Sequence, residues 1–268
     1  MIESKALSPS LGVEFTGVTD PLDDSFVQRC VEALKWRGVL LVRGLHLDDK
    51  QQIAFSRRLG AVVSLRGREI FPISVNPALS DSAKYIKGAF FWHLDGTSDD
   101  VPVKATTLTA RHVAMTGGGT EFASTYAAYE NLPEKERERY QNLRVVHSFE
   151  AAQRLVNPDP GEKELAAWRT QPAHEMSLVW HRRDGRRSLV TGTTADHVVG
   201  MGRDDSRALL DELLDWTTQE RFRYAHDWEV GDLVVWDNTG ILHRALPYDE
   251  NSERLLHRTT VVGDEAFA

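Results

Sequence analysis

The sequence predicts an α+β fold whose main body is a β-sandwich or jelly roll. Two amphipathic helices lie near the N-terminus, many short apolar or alternating segments follow them, and turn residues separate those segments at close intervals. A chain of 268 residues is long enough to bury a sizeable core, and it reads as a single domain over 1–268.

In order, Val13 to Val18 reads as a short strand. Asp23 to Trp36 reads as a helix with Phe26, Val27, Cys30, Val31 and Leu34 on one face, ended by Gly38. Val39-Leu40-Leu41-Val42 is apolar throughout, as a strand buried on both faces would be. Asp48 then caps a second helix that runs to Leu59 and stops at Gly60. Strands follow at Ile70 to Val75, Lys104 to His112 and Leu143 to Ser148, with a short charged helix from Pro133 to Gln141. Asn157 to Glu175 carries Pro158, Pro160, Gly161 and Pro172 without clear periodicity, so it is expected to be a long loop, either a lid-like insertion or a tolerated surface excursion. Asp205 to Trp216 is an amphipathic helix with Leu209, Leu210, Leu213 and Leu214 inward. The C-terminal third returns to strands at Leu233 to Trp236 and Arg254 to Val262.

The net charge of −8 argues against sequence-independent nucleic-acid binding, which requires a basic footprint. A small anionic substrate is compatible with it, because a few inward arginines make a local positive pocket. The one cysteine, Cys30, excludes an intrachain disulfide and falls on the apolar helix face. The N-terminus has no apolar leader and no stretch approaches the roughly 18 apolar residues of a membrane span, so a cytoplasmic protein without membrane association is expected.

The chemistry concentrates in four segments. In Trp92-His93-Leu94-Asp95, residues two apart on an extended chain share a face, so His93 and Asp95 can chelate one metal. A distal histidine, His243 in His243-Arg244-Ala245, would complete two histidines and a carboxylate. Such a set covers one face of an octahedral iron(II) and leaves three positions open for a bidentate co-substrate and dioxygen. Arg254 and Arg258 lie four apart on a strand and share a face, where they could pair with a dicarboxylate. The alternative is a surface pair bridged to Asp249, Glu250 or Glu253. Gly117-Gly118-Gly119 makes a tight turn before Thr120, whose hydroxyl can reach a carboxylate on the sheet face. The other eight histidines show no spacing that pairs them into a second site, and His257 should face away from Arg258 by strand alternation.

Taken together and in this order, these segments resemble the taurine dioxygenase/TfdA family of iron(II)- and 2-oxoglutarate-dependent dioxygenases. The likeness rests on Trp92-His93-Leu94-Asp95, on Gly118-Gly119-Thr120, and on the block from Gly231-Asp232 through Trp236-Asp237-Asn238 to His243-Arg244-Ala245. Arg254 stands eleven residues beyond His243. The resemblance implies a double-stranded β-helix (jelly-roll) core flanked by helices. It implies His93, Asp95 and His243 as ligands of Fe(II), and Thr120 and Arg254 as ligands of the distal carboxylate of 2-oxoglutarate. Arg258 would meet either the co-substrate or an anionic substrate. It further implies a cytoplasmic homo-oligomer, a dimer or tetramer, that uses O2 and 2-oxoglutarate to hydroxylate a small-molecule substrate and releases succinate and CO2. A jelly-roll metal enzyme of another class and a non-catalytic ligand-binding relative are the rival readings.

The chain departs from taurine-type members. Ala89 stands where they carry an asparagine that touches substrate, Ala61-Val62-Val63-Ser64-Leu65 lacks their sulfonate-binding histidine, and Thr239-Gly240 follows Trp-Asp-Asn in place of an arginine. The expected substrate is therefore a small to medium anion other than taurine. Arg258, Arg66, Arg68 and Lys87 are expected to supply the charge, and Phe90, Phe91, Val62, Val63 and Leu65 an apolar wall.

Overall fold

Val39–Val42 has no polar residue because it lies inside a seven-stranded sheet of the computed structural model, which describes residues 1–267. The strands run in the order Glu3–Ala6, Val13–Thr16, Val39–Val42, Leu233–Asp237, Ala105–His112, Leu255–Val261 and Phe71–Ile73. All neighbours are antiparallel except Val13–Thr16 against Val39–Val42. A three-stranded sheet, Arg223–His226, Thr120–Ser124 and Ile241–Ala245, packs against it.

Alternation along the strands divides the core in two. Leu40, Val42, Leu233 and Val235 face the helices Asp24–Arg37 and Asp49–Leu59, where they meet Phe26, Cys30 and Phe55. Their neighbours Val39, Leu41, Val234 and Trp236 point the other way, onto Phe122 and Ile241 of the smaller sheet. These two layers form the jelly roll that the sequence predicts, with helices on one outer face.

The helix ends follow their capping residues. Asp23 accepts from the Phe26 N–H, Gly38 closes its helix in the left-handed region (φ 69°), and Asp48 with Gln51 forms a capping box. The helix Arg203–Thr217 buries Leu209, Leu210 and Leu213 against Val145, Leu178 and Leu189. No helix among the described residues is long and apolar enough to cross a membrane.

Two expectations need correction. Residues 157–175 are not a structureless loop: Glu162–Trp168 is helical and a strand begins at His174. A seven-residue helix that buries only Trp168 leaves no apolar period to read. The preceding helix, Phe149–Val156, buries no residue fully, but its Phe149, Ala152, Leu155 and Val156 recur at helical spacing, a period the sequence reading passed over. The second correction concerns His93 and Asp95, which do not share a regular strand. His93 forms an isolated β-bridge with His243, and the chain turns at Asp95-Gly96. Gly96 has φ 86°, and a Cβ there would lie 2.8 Å from the Val103 nitrogen, so the turn folds tightly back on its own loop.

Candidate active site

His243 is brought to the site by the strand Ile241–Ala245, and His93 is fixed beside it by reciprocal main-chain hydrogen bonds. The His93 Nδ1 lies 2.8 Å from the Phe91 carbonyl. A carbonyl only accepts, so Nδ1 carries the proton and Nε2 keeps its lone pair. That Nε2 stands 3.8 Å from Asp95 Oδ1, and His243 Nε2 stands 3.7 Å from Asp95 Oδ2. One ligand atom from each of His93, Asp95 and His243 lies within 4.8 Å of the other two. Three donor atoms at this spacing, two imidazole nitrogens and one carboxylate oxygen, fit a single octahedral cation held on one face.

The protonation states suit that fit. Burial, and next the neighbouring His93, push the His243 pKa down to about 3, which leaves a bare nitrogen at neutral pH. Burial alone would raise Asp95, but His243, Arg258, His93 and the Thr106 hydroxyl outweigh it and hold the carboxyl below its usual range. Because His243 is neutral at that pH, its own share of this effect lapses there, while the Arg258 guanidinium stays charged.

Asp95 is also aimed by a chain of hydrogen bonds. Trp236 Nε1 donates to Asn238 Oδ1 (2.7 Å), Asn238 Nδ2 donates to Thr106 Oγ1 (2.8 Å), and Thr106 donates to Asp95 Oδ2 (3.1 Å). The Trp236 ring packs against His243 with centroids 4.6 Å apart. Trp236 and Asn238 therefore support two of the metal-ligand candidates, His243 and Asp95. Sequence reading missed Thr106, which carries no motif, and quoted Asn238 without a role. Asp232, of the Gly-Asp pair, is fully buried between Arg43 (2.7 Å) and His226 (3.1 Å) and ties the ends of interior strands of the larger sheet to the smaller sheet.

Thr120, Arg254 and Arg258 line the same cavity as the three metal-ligand candidates, and its volume is about 390 Å³. Arg254 is 2% exposed, donates from Nε to the Gly118 carbonyl (2.9 Å) and lies over the Tyr248 ring. Gly118 has φ 71°, and a Cβ there would come within 2.8 Å of Arg254, so glycine makes room for the guanidinium to cross the loop. Trp228 Nε1 donates to Thr120 Oγ1 (2.9 Å), which leaves the Thr120 hydroxyl proton for another acceptor. Among the described residues, the buried Arg258 Nε has no hydrogen-bond partner. The surface-pair alternative does not describe these arginines, since Arg254 is buried and Glu250 pairs with Lys87 instead. His257 points away, to Asp49 at 2.7 Å.

The residues expected to shape the substrate region are only partly there. Ala89 lines the cavity; Val62, Val63, Leu65, Arg66 and Arg68 do not. Lys87 is tied to Glu250, Phe90 packs edge-on against Tyr248, and Phe91 is exposed. Ile73, Ile86, Phe149 and Leu256 form the apolar wall instead, opposite the hydroxyls of Thr97, Ser98 and Thr194. A second cavity, of about 380 Å³, lies elsewhere beside Lys104, Arg182 and Arg186, and those cations are paired with Asp264, Glu265 and Asp184. It holds none of the candidate residues.

Comparison with known proteins agrees with this geometry. Residues 3–260 match the family described as "Taurine catabolism dioxygenase TauD, TfdA family". The chain is 34% identical over 245 residues to an alpha-ketoglutarate-dependent 2,4-dichlorophenoxyacetate dioxygenase of Burkholderia sp. (strain RASC), covering 85% of this chain and 82% of that protein. It is 33% identical over 272 residues to an (S)-phenoxypropionate/alpha-ketoglutarate-dioxygenase of Sphingobium herbicidovorans, covering 97% and 94%. Among solved structures, that of AAD-2 in complex with Mn(II) and N-oxalylglycine superposes with a TM-score of 0.85 at 26% identity and covers 100% of both chains. A match over nearly the whole length, joined to the motifs and the cavity, establishes that the chain belongs to the TauD/TfdA family of 2-oxoglutarate-dependent dioxygenases.

Proposed function

We propose that this enzyme uses Fe(II), held by His93, Asp95 and His243, to hydroxylate an unactivated C–H bond of a small to medium organic anion, with 2-oxoglutarate converted to succinate and CO2. The observation that carries this reading is the presence of three metal-ligand candidates and two carboxylate-binding candidates, Thr120 and Arg254, in one cavity. A bound iron with 2-oxoglutarate supplies the oxidising chemistry.

The chain's own residues bind and orient. Arg254 supplies a buried cation and Thr120 a hydroxyl proton for the distal carboxylate of 2-oxoglutarate. The Phe91 carbonyl holds His93 in the tautomer that presents Nε2. Thr106 and Asn238 aim Asp95. Ile73, Ile86, Phe149 and Leu256 keep water from the reacting carbon. Arg258, whose buried Nε has no partner among the described residues, supports an anion in the cavity, either the second carboxylate of 2-oxoglutarate or the substrate.

Two relatives named for phenoxyacetate and phenoxypropionate support an aryloxyalkanoate-like anion. Ala89, which offers no polar contact in the cavity, supports exclusion of taurine. The family resemblance also supports a cytoplasmic homo-oligomer.

The test is succinate release under air with 2,4-dichlorophenoxyacetate, 2-phenoxypropionate, decyl sulfate and taurine, each paired with an uncharged analogue. The expected result is coupled turnover with at least one of the larger anions and little with taurine. Strong coupling with taurine, or better coupling with the uncharged analogues, would overturn the substrate reading. Absence of 2-oxoglutarate binding would overturn the site reading itself.

A further inference from the structure

The inner cavity does not end at Tyr85 and Phe149. Both residues also line a larger groove, of about 1010 Å³, bounded on one side by Leu65 and Arg66 and on the other by Lys163, Ala167 and Trp168. Its apolar lining comes from both sides: Trp168 is 5% exposed and Leu65 61% exposed. Its rim is cationic. Arg66, Lys84 and Lys163 all line it, and among the described residues none of the three is in an ion pair, although the chain carries 40 acidic residues against 32 basic ones. Nearby cations are paired: Arg57 with Glu69, Arg68 with Asp81, Lys87 with Glu250. The one acid of the groove, Glu164, accepts a hydrogen bond from Asn157.

Two further features keep the charge at this rim. Lys84 Nζ lies 5.1 Å from the Tyr85 ring centre, so a cation–π contact holds the ammonium at the boundary between the two cavities. Arg66 adopts φ 52°, a conformation non-glycine residues seldom take, at the tip of a turn closed by reciprocal main-chain hydrogen bonds between Leu65 and Arg68. An apolar lining with unpaired cations at its rim recognises an amphipathic anion.

We propose that this groove is an outer subsite for the far end of an elongated substrate: the apolar middle passes between Tyr85 and Phe149, and an anionic group at the far end meets Arg66, Lys84 and Lys163. This rests on the inner cavity being the site of oxidation. It assigns a substrate class that is long and carries charge away from the reacting carbon.

Calorimetry of the Fe(II)- and 2-oxoglutarate-loaded enzyme under argon tests this without turnover. The probes are decanedioate and decanoate. Decanoate can turn its one carboxylate inward, so only decanedioate gains from charge at both ends. Solvent-exposed pairs are individually weak, so decanedioate is expected to bind roughly five- to tenfold tighter than decanoate. The triple variant Arg66→Glu/Lys84→Glu/Lys163→Glu is expected to abolish that preference while decanoate affinity changes less than about threefold. Equal binding of the two probes in the wild type, no binding of either, or a preference that survives in the triple variant would each overturn the subsite. Titration of 2-oxoglutarate in the same instrument reports on the inner site separately. Its loss in the wild type would count against the oxygenase reading rather than against the groove.

Discussion

His93 and His243, 150 positions apart in the chain, exchange both main-chain hydrogen bonds at 3.0 and 2.9 Å in a β-bridge one residue long, and their rings lie 4.1 Å apart. The bridge joins the segment at His93 to the strand Ile241–Ala245, so the two backbones that carry these imidazoles are fixed relative to one another. Asp95 is held separately, from the turn that follows.

Removing any of these three side chains leaves two of the three proposed ligands. His93→Ala, Asp95→Ala and His243→Ala are each expected to lose most of the bound iron and at least about a hundredfold in activity. Metal analysis after dialysis measures the first and succinate release the second. Full activity in His243→Ala would remove it from the set.

Arg254 is buried, and among the described residues no carboxylate pairs with it. Loss of a buried charge-assisted contact costs about 2–5 kcal/mol. Arg254→Ala should therefore raise the 2-oxoglutarate requirement by at least about thirtyfold, and Thr120→Val by less. A titration curve for Arg254→Ala that overlays the wild type would show that the co-substrate binds elsewhere.

Thr106 and Asn238 touch no metal-ligand candidate except through Asp95, so their effect should be one of aim. Replacing outer partners of metal ligands typically costs 10–100-fold in metal affinity or activity. Thr106→Val removes the bond to Asp95 and is expected to weaken iron binding by roughly tenfold or more. Thr106→Ser restores the hydroxyl and should recover most of it. If Ser and Val behave alike, the hydroxyl plays no part.

The region expected to form either a lid or a surface excursion contains the helix Glu162–Trp168. Arg169 binds Glu150 at 2.7 Å and Asn157 binds Glu164 at 2.8 Å, so the helix Glu162–Trp168 is fastened to the helix Phe149–Val156. The latter carries Phe149, Ala152 and Gln153 to the cavity wall. The two helices should therefore gain protection together when substrate binds, over residues 149–171. Hydrogen exchange that is unchanged by substrate, or that slows in only one of them, would separate the pair and argue against a lid.

What the sequence made legible follows from how local each signal is. Val39–Val42 and the helices around it were readable because apolar period and capping residues are short-range. The three metal-ligand candidates and Arg254 were readable through motif segments at family spacing, not through the geometry that joins them. Thr106 was invisible, because one threonine among Thr106, Thr107 and Thr109 gives no sign that it faces Asp95. The cavity wall was misjudged because adjacency to His93 in sequence suggested Phe90 and Phe91. The chain turns there, and Ile73, Ile86 and Phe149 arrive from other elements. The short strands His174–Ser177 and Val179–His181 escaped for lack of length.

His147 gives the molecule an acid sensitivity that is separate from the metal centre. It is 1% exposed, its Nδ1 lies 2.9 Å from the Thr194 hydroxyl, and it stands opposite His174 across paired strands. Burial above all, with His174 adding to it and the Val190 backbone opposing, lowers its pKa from 6.5 to about 4. The unfolded chain therefore takes up this proton near pH 6.5, while the folded chain resists until about pH 4. Between those values the unfolded state binds more protons. The stability contributed by neutral His147 is thus complete above pH 6.5 and is lost progressively as the pH falls towards 4. At 1.36 kcal/mol per unit, the loss on going down to pH 5 is about 2 kcal/mol. His147→Asn keeps a hydrogen-bonding partner for Thr194 and cannot titrate. Its urea midpoint should be lower than that of the wild type at neutral pH, yet change less between pH 7 and pH 5. If both proteins lose stability in parallel over that range, His147 is not the group that the acid reaches.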